Sequence, residues 1–145
     1  MERKLIIRNF GAIASADIAL KDFNIFIGEQ GAGKSTVAKL ITIFENSRDK
    51  VLKVDSDYLM TKFSEYNIIS YFNPDSYISY SSEQGDITYE DGSFNFTFSY
   101  HSTSHNLYIP AERFFISTFS RSIATLVLSK APIPVTLLEF ASFYE

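Results

Sequence analysis

The sequence predicts one α/β domain, and three observations support that prediction. The chain has 145 residues, 46% hydrophobic and 21% charged, which suits one folded core rather than two cores or a disordered chain. A strand pattern at residues 23–27 is followed by a helical pattern at 35–44. Short alternating segments before and after this pair predict antiparallel strands.

The first strands are predicted ahead of the helix. Residues 4–9 and 12–20 read as two strands separated by a turn at Gly11, and they would pair as an antiparallel ribbon. Residues 23–27 are predicted to form a third strand, which ends at Gly28. They are apolar at most positions, as expected for a buried central strand.

Two helices are predicted in the first half of the chain. Residues 35–44 carry an apolar stripe with the spacing i, i+3, i+4, i+7. The stripe consists of Val37, Leu40, Ile41 and Phe44. A second helix would begin at a cap provided by Ser56 or Asp57. Its apolar face would carry Leu59, Phe63 and Tyr66.

An antiparallel meander is predicted over residues 77–109. Its clearest hairpin has strands at 86–89 and 93–98, which alternate around Asp91 and Gly92. Asp-Gly favours a type I′ turn because both central residues of that turn need positive φ. One face of this hairpin would carry Phe94, Phe96, Phe98 and Tyr100.

The last third of the chain is predicted to be mainly helical. A short strand at 106–109 stops at Pro110, a long helix follows at 111–129, and Pro134 is suited to begin a last helix. The expected parts of the domain are 1–46 (ribbon, glycine-rich loop and first helix), 47–110 (helical insert and meander) and 111–145 (helices).

Charge and composition exclude several classes of protein. Thirteen basic and seventeen acidic residues give a net charge of −4, which argues against a strongly basic nucleic-acid scaffold. The absence of cysteine excludes disulfides and thiolate metal sites. No membrane span or signal peptide is apparent, so we expect a cytoplasmic protein.

Fourteen Phe and nine Tyr predict a core built with aromatic rings. The alternative, a base-stacking surface, would need interleaved basic residues, and residues 63–112 have none.

A glycine-rich loop before the first helix carries the clearest chemistry. It consists of Gly28, Glu29, Gln30, Gly31, Ala32, Gly33, Lys34, Ser35 and Thr36. Residues 28–35 fit G-x-x-x-x-G-K-[ST], a pattern that binds phosphate through backbone N–H groups, and Thr36 follows them. Gly28 and Gly33 would adopt conformations that a side chain blocks, and Gly31 would help the chain wrap. The alternative is a glycine turn next to an unrelated lysine. The position between an apolar strand and an amphipathic helix favours the phosphate site.

The polar side chains of this loop have separate predicted roles. Lys34 would neutralise the β- and γ-phosphates, and Ser35 would offer its hydroxyl to Mg²⁺. Thr36 would support the α-phosphate end, and the positive end of the helix would add to the attraction.

The start of the chain resembles ABC-type ATPases of the SMC/RecF group. The resemblance rests on a strand ending in Asn9 and Phe10, a second strand, and an apolar strand that leads into the loop. Gln30 stands where that group has Asn and keeps the amide. Small-molecule kinases usually begin with the loop strand, so the preceding ribbon argues against a P-loop kinase, as does the lack of an Arg-rich lid.

Residues 108–113, Tyr-Ile-Pro-Ala-Glu-Arg, resemble the Pro-Ala-Glu-Arg stretch of OLD-like ATPases. By that resemblance Glu112 or Arg113 approaches the metal, the attacking water or a neighbouring subunit. The alternative is a carboxylate at a helix N-terminus beside a surface arginine.

Together the resemblances imply the N-terminal part of a P-loop NTPase, an ABC-ATPase-like lobe with an antiparallel β subdomain. Its ligands would be ATP or ADP with Mg²⁺, and the complete protein would hydrolyse ATP, in a bacterial defence or DNA-maintenance system. The sequence has no apolar run ending in Asp-Glu and no Leu-Ser-Gly-Gly signature, so we expect an incomplete lobe. The catalytic carboxylate would lie beyond residue 145 or on another chain, and the partner would be the remainder of the ATPase or a second subunit. A nucleotide-binding module without turnover is the alternative, and contact with nucleic acid is left open.

Overall fold

The computed structural model describes residues 3–47, 55–98 and 108. The chain divides into two units, Met1–Asn106 and Leu107–Glu145. The helices and strands given below belong to the first unit. Apart from residue 108, the predicted strand at 106–109 lies outside the described residues, as do the helices predicted after Pro110.

The described elements confirm an α/β fold built on one antiparallel sheet. They are β1 (Arg3–Phe10), β2 (Ile13–Leu20), α1 (Lys34–Ser47), α2 (Ser56–Glu65), a short 3₁₀ helix (Ile69–Tyr71), β3 (Tyr77–Ser82), β4 (Gly85–Glu90) and β5 (Ser93–Phe98). The strand order is β2-β1-β3-β4-β5, with every neighbouring pair antiparallel. The predicted ribbon and the predicted hairpin are both confirmed. A further pairing of β1 with β3, with Ile7 opposite Ile78, unites them in one sheet.

The two faces of the sheet differ sharply in polarity. The buried face carries Leu5, Ile7, Ile78, Tyr80, Ile87, Tyr89 and Phe94. The register places the small polar residues Ser15, Ser79, Ser81, Thr88, Asn95 and Thr97 on the opposite face. This alternation is typical of an antiparallel sheet with one face on the core and the other toward water.

Helix α1 contacts the buried face of the sheet. It begins one residue earlier and ends three residues later than predicted, and Val37, Leu40 and Phe44 of the predicted stripe are buried. The Phe44 ring lies 5.7 Å from that of Tyr80 on β3. Near the helix end, the buried Glu45 carboxylate accepts a hydrogen bond from the Tyr80 hydroxyl. Its Oε1 also lies 3.4 Å from Nη1 of Arg3. These contacts fix the helix that follows the glycine-rich loop.

Helix α2 confirms the second helix, but its cap differs from the prediction. Asp55, rather than Ser56 or Asp57, accepts a hydrogen bond from the Tyr58 N–H at 2.9 Å. A cap residue must precede the first helical turn, and Ser56 is already helical. The predicted face is buried through Leu59, Phe63 and Tyr66. Within the described part of the chain, no helix is long and apolar enough to cross a membrane.

The core contains a cluster of aromatic rings, as the composition predicts. Phe72 lies at its centre, with ring centroids 4.3 Å from Tyr89 and 4.9 Å from both Phe10 and Phe63. Phe94 is buried against the same group. Close tilted and edge-on pairs of this kind stabilise a core beyond the area that they bury.

The prediction of a buried central strand at residues 23–27 is wrong for this structure. The segment is assigned to no strand, and Phe23, Ile25 and Ile27 are 80%, 69% and 91% exposed. An apolar run indicates strand-forming residues, but burial also requires neighbouring strands. Both edges of β1 are already occupied, by β2 and β3. Among the described strands none pairs with this segment.

The hairpin between β4 and β5 provides a test of backbone conformation. Asp91 and Gly92 have φ values of +51° and +78°, as a type I′ turn requires. A side chain at position 92 would meet no atom within 4 Å, so any penalty comes from the backbone alone. Gly92→Val is therefore expected to lower the free energy of unfolding by about 1–2 kcal/mol.

Urea denaturation of the wild type, Gly92→Val and Gly92→Asn measures this effect. Asparagine tolerates positive φ, so Gly92→Asn is expected to lose less stability than the valine variant. Equal denaturation midpoints for the wild type and Gly92→Val would contradict the assigned turn.

Candidate functional site

The glycine-rich loop, residues 28–36, connects the exposed segment 23–27 to α1. A turn forms within it, where the Ala32 N–H donates to the Glu29 carbonyl at 3.3 Å. The Val37 N–H then donates to the Gly33 carbonyl at 2.9 Å, which begins the hydrogen bonds of the helix. The loop thus wraps tightly and leads directly into a helix N-terminus.

Two of the three glycines adopt backbone conformations that favour glycine. Gly31 has a φ of +83° and Gly33 a φ of +86°. The expectation for Gly28 is wrong, because its φ is not positive and an added Cβ would make only an ordinary 3.7 Å contact with Ala32. The conformational requirement therefore lies at Gly31, inside the turn, and at Gly33, just after it.

The Lys34 ammonium lies over the beginning of the loop. Its Nζ donates to the Gly28 carbonyl at 2.7 Å and to the Glu29 carbonyl at 2.5 Å. These bonds tie the first turn of α1 to the start of the loop and hold a positive charge beside its backbone. The arrangement brings together the lysine and the loop that the sequence motif predicts.

The start of α1 offers hydrogen-bond donors to an anion. The first N–H groups of a helix have no partner within the helix, and the first turn of α1 contains no acidic residue to occupy them. Ser35 is exposed there, whereas Thr36 is buried, with 7% of its surface accessible. Neither hydroxyl has a hydrogen-bond partner among the described residues.

An open cavity of about 440 Å³ lies beside the loop. It is lined by Ala12, Ile13, Ala14, Ser15, Ala16, Ile25, Phe26, Ile27, Ala32, Gly33, Lys34 and Val37. Its volume falls within the range of small-molecule sites, which bind an apolar ligand surface and orient it with a few polar groups. Lys34 is the charged residue in this lining.

The sequence did not predict that β2 contributes to this site. Ile13 contacts Gly33 so closely that a Cβ on the glycine would lie 2.5 Å from Ile13 Cγ1. No local pattern indicates such a contact, because it joins residues that are brought together only by the fold.

The remaining predicted site residues are not placed. Glu112 and Arg113 lie outside the described residues, so their approach to the loop stays a prediction. In the described ranges, no group of three or more acidic or histidine residues is arranged to hold a metal ion.

Comparison with known protein families agrees with the motif. Residues 1–127 match the model of the AAA ATPase domain, which covers most of the chain, and the chain therefore belongs to this family. No curated protein and no solved structure gave a match. Membership of the family gives nucleotide binding and ATP hydrolysis as the general activity, with Mg²⁺ as the usual metal.

Proposed function

We propose that the glycine-rich loop binds the phosphates of ATP or ADP with Mg²⁺. The observation that carries the proposal is the position of Lys34. Its ammonium contacts the carbonyls of Gly28 and Glu29, and the residue itself is the first of helix α1. A cation, free N–H groups and the positive helix end all favour a multiply charged anion at this point.

The two hydroxyls at the start of α1 support the same ligand. Ser35 is exposed and supplies an oxygen that Mg²⁺ accepts as a ligand. Thr36 is buried, and a buried hydroxyl without a hydrogen bond is costly. A bound phosphate oxygen would satisfy it. The backbone around the phosphates would come from Gln30, Gly31 and Ala32. The Mg²⁺ ion would neutralise part of the phosphate charge.

Calorimetric titration with ADP and with adenosine tests this proposal. Only ADP carries the phosphates that the loop would hold, so ADP is expected to bind and adenosine to bind far more weakly. Equal affinity for the two ligands, or no binding of ADP, would refute the assignment of the site.

We further propose that hydrolysis belongs to the complete ATPase of the SMC/RecF/OLD-like group. The ribbon ahead of the loop and the Pro-Ala-Glu-Arg stretch at 110–113 support this group. The sequence has no apolar run ending in Asp-Glu to orient the attacking water, so that group would come from the remainder of the ATPase or from a second subunit. A module that binds nucleotide without turnover is the second candidate, favoured by the same absence.

The cellular setting is part of the same proposal. The OLD-like resemblance favours a bacterial defence or DNA-maintenance system in the cytoplasm. The net charge of −4 gives no support for contact between this chain and nucleic acid, so any such contact would fall to other parts of the assembly.

The exposed segment 23–27 supports the need for a partner. Its three outward apolar side chains, Phe23, Ile25 and Ile27, form an unusual hydrophobic strip. An apolar segment that pairs with none of the described strands can accept a strand from a partner. We propose that the remainder of the ATPase or a second subunit covers it.

Ile25→Thr tests whether this strip drives association. Threonine keeps a β-branched side chain but removes apolar surface, so self-association of the chain at high concentration is expected to fall. Because Ile25 is exposed, the free energy of unfolding should change by less than about 0.5 kcal/mol. Sedimentation velocity measures the association and urea denaturation the stability.

The matched control is Ile69→Thr, the same substitution at another exposed isoleucine outside the strip. It is expected to leave association unchanged. An equal effect of the two substitutions would argue against a specific partner surface at 23–27.

A further inference from the structure

The side chain of the first residue of β2 contacts the glycine-rich loop. Ile13, the first residue of β2, is buried, and its Cγ1 and Cδ1 would lie 2.5 Å and 3.0 Å from a Cβ built on Gly33. The isoleucine thus occupies the space beside the glycine, and the backbone of Gly33 rests directly on it. Gly33 immediately precedes Lys34 at the start of α1.

Ile13 is itself held in a fixed position. It pairs with Phe10 across the turn, and the Phe10 ring packs against Phe63 and Phe72 at centroid distances of 5.9 Å and 4.9 Å. Within the turn, the Gly11 N–H donates to the Tyr71 carbonyl at 3.1 Å. The aromatic core therefore anchors the turn that carries Ile13.

We propose that Ile13 is a positioning residue of the phosphate site. It supports Gly33 in its φ of +86° and so sets the direction of the N–H groups at the start of α1 and of the Lys34 side chain. The inference rests on the proposed function of the loop. It adds a residue of β2, outside the motif, on which phosphate affinity depends.

The physical reason is the precision that a phosphate site requires. Donors that converge on one anion must be held within about 0.5 Å of their productive positions. Ile13→Ala removes Cγ1, Cγ2 and Cδ1 and leaves a cavity under Gly33, so the glycine can sample other conformations. Ile13→Val keeps a Cγ atom on each branch and loses only Cδ1, so it retains most of the support.

The test compares ADP affinity across matched variants by calorimetry. Ile13→Ala is expected to weaken ADP binding about tenfold, equivalent to the loss of roughly one charge-assisted hydrogen bond. Ile13→Val is expected to retain most of the wild-type affinity for ADP. Ile87→Ala is the control, because Ile87 is also buried but lies on β4, three strands away from β2. It should lose stability, yet bind ADP within about twofold of the wild type.

A second readout keeps the two proposals separate. In the ligand-free protein, the amide NMR signals of Gly33 and Lys34 should shift in Ile13→Ala and stay unchanged in Ile87→Ala. If the wild type binds no ADP, the proposed function fails while these shifts still support the positioning role. Unshifted amides in Ile13→Ala, or ADP affinity equal to that of a binding wild type, would overturn the inference.

Discussion

Lys34→Ala is expected to weaken binding of ATP and ADP by about 10- to 100-fold, the value of one or two hydrogen bonds to a charged group. The substitution removes the ammonium that lies beside the beginning of the loop. It also removes the bonds from Nζ to the carbonyls of Gly28 and Glu29, so the loop loses a restraint together with its charge. Both losses act on phosphate affinity, and calorimetric titration with ADP measures their sum.

The control for Lys34→Ala is Lys4→Ala. Lys4 is an exposed residue of β1, and its removal changes the net charge of the protein by the same amount. If general electrostatic attraction explained binding, both variants would lose affinity equally. A specific site predicts a large loss for Lys34→Ala alone, and unchanged affinity in that variant would mean that the phosphates bind elsewhere.

The sequence predicted the parts of the fold that depend on local patterns. The ribbon follows from two short strands around Gly11, and α1 follows from the stripe that includes Leu40 and Phe44. The hairpin follows from Asp91 and Gly92, whose positive φ values the type I′ turn requires. In each case the deciding interactions lie within a few residues of one another in the chain.

The parts that sequence reasoning missed depend on contacts between distant residues. The pairing of β1 with β3 places Ile7 opposite Ile78, and nothing within either strand indicates its partner. The burial of Glu45 depends on Tyr80 and Arg3, which lie on those same two strands. An acidic residue near the end of a helix ordinarily indicates a solvent-facing position, and only the fold brings these two partners to it.

The candidate site shows the same division. The loop motif indicates the residue types at 28–36, and the described geometry places Lys34 against its beginning. The contact of Ile13 with Gly33 needs the whole β ribbon to be folded beside α1. The apolar run at 23–27 was expected to be buried, yet burial requires neighbours that the described strands do not provide.

The chain of residues 1–145 is expected to bind MgATP but to hydrolyse it negligibly. Lys34 and Ser35 act on one side of the phosphates. The sequence has no acidic pair after an apolar run to orient water, and no signature loop to complete the surroundings of the γ-phosphate. In enzymes, a single preorganised donor to the transition-state charge contributes about 10²–10³ in rate and an arginine finger about 10³–10⁵, so the absence of such groups leaves most of the barrier in place.

A phosphate-release assay on the purified chain measures this turnover, with Lys34→Ala and Glu112→Gln as matched variants. Lys34→Ala is expected to lower any activity that depends on the loop, so release at an unchanged rate in this variant would come from a contaminating enzyme. Multiple turnovers that are present in the wild type and lost in Lys34→Ala would contradict the prediction, because the chain would then contain its own catalytic carboxylate. Loss of that turnover in Glu112→Gln as well would identify Glu112 as the catalytic carboxylate.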